Sequence, residues 1–166
     1  MDESCLTPDS RLFASQLFSR FPQLRPYAAI EPRSGESVAT LVVTVSAPSG
    51  DPKAELVVWA NEYDGPSVAF GDWHTHESVW EDSPENAPHQ EILNLVEGIL
   101  TERYVTCEDV GCEANCSTTI LDLHDRDALL DELTDRYSPG MVRLRSWNGR
   151  HDRTVSLNDL EDWGAV

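Results

Sequence analysis

VATLVVTVSAPSGDPKAELVVWANEYDGPSVAFGDWHTH, residues 38–76, decides the fold. It reads as three strands. Residues 38–47 are β-branched and apolar at both even and odd positions, which fits a central strand buried on both faces. PSGDPK, residues 48–53, is turn chemistry, and AELVVWANE, 54–62, is the second strand. YDGPS, 63–67, turns again, and VAFGDWHTH, 68–76, is the third strand. Connections this short leave no room for crossovers, so the strands are antiparallel.

The flanks supply helices and more strands. TPDSRLFASQLFSRFP, 7–22, places Leu12, Phe13, Leu17 and Phe18 on one helical face, with Asp9 or Ser10 as cap and Pro22 as stop. A loop with a short strand at Tyr27–Ile30 follows. After a polar loop with capping signals at Ser83 and Asn86, HQEILNLVEGILTERY (89–104) is a strongly amphipathic helix. Its stripe is Ile92, Leu93, Val96, Ile99 and Leu100. Strands at 104–107 and 117–123, a helix at 125–137, and a hairpin of 141–147 with 150–157 complete the order. Asn148-Gly149 is read as the type I′ turn of that hairpin, and Trp163 as docking the acidic tail. The expectation is one α+β domain over residues 1–166. It holds a single antiparallel sheet of about five to seven strands, with helices packed on one face.

Thirty acids against twelve bases give a net charge of −18, and Lys53 is the lone lysine. That field repels nucleic-acid phosphates and anionic membranes and favours a basic protein partner. MDESCLTPDSRLF lacks the basic start and apolar run of a secretory signal, and no window reaches a membrane span. A cytoplasmic location is expected, and the Arg-rich, Lys-poor composition points to a bacterial source.

In a strand, residues two apart share a face, so His74 and His76 stand about 7 Å apart on one side. Two imidazoles so placed can ligate one metal, with a third ligand drawn from Glu77, Glu81, Asp82 or His89. An unbroken strand would put both His on the face of Val68 and Phe70. A bulge at Gly71 would reset the alternation, sending Trp73 inward and the two His outward, which is the expected arrangement. His74, His76, Glu77, Trp80 and Asp82 are the candidate binding residues; His74, His76 and Glu81 are the metal set of a hydrolytic alternative with a divalent ion such as zinc. No cofactor is expected otherwise.

The spacing of His74, His76 and Glu81 also fits the cupin motif, but that motif's flanking glycines are replaced by Val68 and Pro88. JAMM-type metalloproteases are excluded because Glu77 follows His76 and the downstream Ser and Asp are misplaced. VAFGDWHTHES followed by HQEILNLVEGIL resembles small bacterial proteins of an immunity-like type, in which a WHTH-type strand precedes an amphipathic helix. The resemblance covers about a third of the chain. It implies protein binding, as in toxin inhibition, and no catalytic residue.

Cys107, Cys112 and Cys116 do not form a CxxC pair, and Glu108, Asp109 and Glu113 around them disfavour thiolates. They read as unreactive thiols; a Cys107–Cys116 disulfide and a metal site with His124 are the alternatives. Arg143, Arg145, Arg150 and Arg153, with Trp147 and His151, form the one basic island. It is expected to pair with the protein's own carboxylates, the alternative being an anion or an acidic peptide. The expected function is therefore non-enzymatic binding of a protein partner, an immunity-type inhibitor being its most concrete form.

Overall fold

The computed structural model describes residues 3–32, 38–62, 65–77, 88–110, 118–125 and 140–156. The protein is α+β, with two antiparallel sheets where one was expected. The first has the order β1 (Ala28–Pro32), β2 (Ala39–Val45), β3 (Leu56–Asn61), β4 (Gly65–Phe70) and β5 (Trp73–His76). The second runs β7 (Thr119–Asp122), β6 (Tyr104–Asp109), β8 (Met141–Arg145) and β9 (Arg153–Ser156). The helix after β5 is what separates them. It carries the chain away from the first sheet, so β6 starts a new ladder instead of extending the old one.

Register fixes which side chains enter the core. Leu41 pairs with Ala60, Val43 with Val58, Val45 with Leu56, and Leu56 in turn with Phe70. All of these are buried on one face. Helix α1 (Pro8–Arg20) contributes Phe13, Ala14, Leu17 and Phe18 to the same core. Leu12, expected on that face, is 45% exposed. The cap is Thr7, not Asp9 or Ser10: its side chain accepts from Ser10 N–H at 3.0 Å, and Ser10 itself is buried. Helix α2 (Gln90–Leu100) buries Ile92, Leu93, Val96 and Ile99 as its periodicity requires, and Leu100 packs at the margin. It touches both β4 and β6 and so ties the two sheets together.

The second sheet turns Tyr104 and Ile120 toward the main core. Its other face gathers Val105, Cys107, Leu121, Val142 and Leu144 into a separate apolar cluster. Two expected turns differ. Strand 68–76 is not continuous: Gly71 and Asp72 form a tight hairpin turn, with Phe70 paired to Trp73. Gly71 takes φ +61° while Asp72 does not take a positive φ, the pattern of a type II′ turn. In the last hairpin, residues 146–152 form a longer loop in place of a two-residue Asn-Gly turn. Trp147 leaves the strand to reach the main core, where it is 8% exposed, and that excursion opens the loop. The Asp152 carboxylate closes it, accepting from Ser146 N–H at 2.6 Å and from its hydroxyl at 3.2 Å. The expected helix at 125–137 lies almost wholly outside the described residues, as does the tail with Trp163. Among the described residues no helix is long and apolar enough to cross a membrane.

Candidate functional site

The outer face of the first sheet is built by the residues that alternate with the core. Val42 pairs with Trp59, Trp59 with Ser67, and Ser67 with His76; Val57 pairs with Ala69, and Ala69 with His74. The Gly71–Asp72 turn sets this register, and it alone decides that the His side chains point outward. His74 and His76 are exposed, their ring centres 5.4 Å apart and their planes at 75°. Trp73 points to the other side and packs, half-buried, against the main core. This is the expected orientation, but a hairpin produces it and not a bulge. A Cβ on Gly71 would stand 2.1 Å from the Lys53 carbonyl oxygen, so the turn needs glycine for space as well as for φ.

Two neighbours fix His76. The Ser67 hydroxyl lies 2.8 Å from its Nδ1, and Trp59 meets its ring edge-on at 6.0 Å between centres. Beyond Trp59 the face opens into a shallow pocket of about 400 Å³, lined by Val42, Val57 and Trp59 with Glu31, Thr40 and Asn61 around them. The floor is aromatic and aliphatic, and the rim is polar. Neither Trp59 nor Ser67 stood out in the sequence. The signal was there in the odd positions of 56–61, but it could be used only once the turn had fixed the register.

Glu77 does not join the His pair. It follows the inward parity of Trp73 and Thr75, and its carboxylate meets Nδ1 of His89 at 2.6 Å. His89 is 4% exposed, caps α2 with φ +66°, and sets its ring edge-on to Phe13 at 5.6 Å. Its Nε2 faces the Asp9 carboxylate at 3.4 Å without a hydrogen bond of good geometry. Two of the four third-ligand candidates are thus spent on each other, in a clasp joining α1, α2 and the end of β5. The remaining candidates, Glu81 and Asp82, lie outside the described residues, as does Trp80. Among the described residues no three metal-ligating side chains converge.

The basic island is consumed internally at its centre. Arg145, 7% exposed, gives Nε to Asp51 at 2.9 Å and Nη1 to Glu108 at 2.5 Å, pinning the 48–53 turn to the second sheet. Burial works against its charge, but the bonds and charges of Glu108 and Asp51 outweigh this and raise the guanidinium pKa. The backbone N–H of Lys53 holds the Asp51 carboxyl below its ordinary value, against some burial and with help from Arg145. Asp122 is lowered by the side-chain hydrogen bonds of Arg103, again against burial, and by His124 N–H. Lys53 reaches both Asp72 and Glu108 at 3.7 Å. Cys107 is buried among Val105, Leu121, Val142 and Leu144, while Cys112 and Cys116 lie outside the described residues.

Comparison of the chain with protein-family models, with curated proteins and with solved structures returned no match.

Proposed function

We propose that this is a cytoplasmic bacterial protein that works by binding another protein, one with a basic surface. An immunity-type inhibitor is the most specific form of the reading. The observation that carries it is the charge balance: −18 overall, with Arg20, Arg25, Lys53, Arg103 and Arg145 each set against the protein's own acids. What remains to face a partner is a surplus of carboxylates, which steers a basic surface in and repels nucleic acid. The contact patch is the outer face of β2–β5, where Trp59, Val42 and Val57 supply an apolar centre beside His74 and His76. Glu81 and Asp82 follow it closely in sequence.

The experiment is affinity isolation from source cells, identification of the retained protein, and reassembly from purified components. Trp59→Ala and the pair His74→Ala, His76→Ala should each weaken the reassembled complex while the protein stays folded. Undiminished binding by both variants would remove this face from the account.

A second reading has one observation in its favour, the adjacency of the His74 and His76 rings. In it these two and Glu81 hold a divalent metal such as zinc and activate water for hydrolysis. Its test is metal-dependent turnover of chromogenic ester and phosphoester substrates, lost in His76→Ala.

A further inference from the structure

We infer that His74 and His76 form an exchangeable chelate for a divalent transition metal, with Ser67 and Trp59 as its supports. The site shares the pair with the hydrolytic reading but needs no third protein ligand and no catalysis. It also stands apart from partner binding, because metal uptake is read on the isolated protein.

The geometry has three parts. First, both rings project from one face of an edge strand with centres 5.4 Å apart. Metal–nitrogen bonds of about 2.0–2.1 Å bring cis-ligating ring centres to roughly 4.5–5 Å, so a small χ adjustment of exposed side chains closes the chelate. Second, Nδ1 of His76 is held 2.8 Å from the hydroxyl of Ser67, a fully buried side chain. The Ser67 hydrogen can turn to the Gly65 carbonyl, 3.4 Å away. The hydroxyl oxygen then accepts from Nδ1–H, and the lone pair of His76 resides on Nε2, the ring nitrogen that Ser67 does not hold. An outer acceptor of this kind commonly fixes a metal-bound imidazole. Third, Trp59 against the His76 ring restricts its tilt. The nearby carboxylate that could have filled another position, Glu77, is taken by His89. Among the described residues no third ligating side chain joins the pair, so in this two-histidine chelate water fills the remaining positions and the ion exchanges freely. Two imidazoles suit borderline metals, with copper(II) held above nickel(II) and zinc(II).

The probe is the metal salt alone. Calorimetric titration of the isolated protein with copper(II), nickel(II) and zinc(II) should show one tighter site, in that order of affinity, weakening as the solution is acidified. His74→Ala and His76→Ala should each abolish that site, while near-ultraviolet circular dichroism shows the fold retained. Ser67→Ala should weaken it by about tenfold or more, and Ser67→Thr should restore it. Copper(II) bound at this site should quench Trp59 fluorescence, and Trp59→Phe should remove that component of the quenching. A site of equal affinity in the double His variant would mean adventitious binding by surface carboxylates and would overturn the inference. Absence of any tighter site in the unsubstituted protein would overturn it as well. Ser67→Ala with unchanged affinity would overturn the role given to the hydroxyl.

Discussion

The edge of the Tyr104 ring crowds Gly98: a Cβ built on the glycine would stand 2.1 Å from Tyr104 Cδ2. This contact is where helix α2 meets the first strand of the second sheet, and it fixes their separation. Gly98→Ala adds helix propensity but drives a methyl into an aromatic ring inside the fold. The overpacking should dominate, at about 1–3 kcal/mol of destabilisation in urea unfolding. A variant as stable as the parent would mean that α2 and β6 are not held at this distance.

Arg145 is the ion-paired hinge between the 48–53 turn and the second sheet. Arg145→Ala leaves Asp51 and Glu108 facing each other without their shared cation. The carboxylates left behind are partly exposed and Lys53 still reaches Glu108, so this variant should lose about 1–3 kcal/mol, less than breaking a fully buried pair. Arg143→Ala, on the same strand and solvent-exposed, serves as the control and should change stability by under about 0.5 kcal/mol.

Acid should unfold the protein through identifiable carboxylates. Asp51 and Asp122 both have folded-state pKa values below the ordinary one. Their stabilising contribution is therefore complete above the unfolded value of about 3.9 and is lost as pH falls through the lowered folded values. Stability measured against pH should stay level from neutrality to about pH 5 as far as these groups are concerned, then fall. Asp51→Asn and Asp122→Asn should each flatten part of that acid limb. An unaltered limb in both would assign acid unfolding to other groups.

The two faces of β5 should differ sharply under mutation. His74→Ala removes an exposed ring and should change stability by less than about 0.5 kcal/mol. His76→Ala also takes a hydrogen-bond partner from buried Ser67 and should cost roughly 1 kcal/mol. Trp73→Ala should cost more than either, yet less than the roughly 3–5 kcal/mol of a fully buried aromatic, because Trp73 is only half-buried. Urea unfolding of the three variants gives the ranking directly, and a reversed order would contradict the register described.

Much of this architecture was legible because periodicity and burial agree. The stripe Ile92, Leu93, Val96 and Ile99 is apolar at helical spacing and lies in the core. Strands β2 and β3 were likewise visible in their β-branched runs. The second sheet was not legible, since sheet membership depends on which strands the helix between them keeps apart. The Gly71 turn was misread for a related reason. A bulge and a two-residue hairpin produce the same reversal of parity at Trp73, and only pairing partners tell them apart. The role of Glu77 was hidden because a carboxylate beside two His looks like a ligand, whereas strand alternation turns it to His89. Trp147 shows the reverse: Asn148-Gly149 signalled a tight turn, and the burial of one indole overrode it.

The central claim is recognition of a basic protein by an acidic surface, and the association rate of the reassembled complex across salt concentrations tests it most directly. At physiological ionic strength charges are screened over about 8 Å, so an electrostatically steered encounter slows steeply from low salt to that level. The account predicts that fall, with the dissociation rate much less affected. An association rate indifferent to salt over the same range would contradict it.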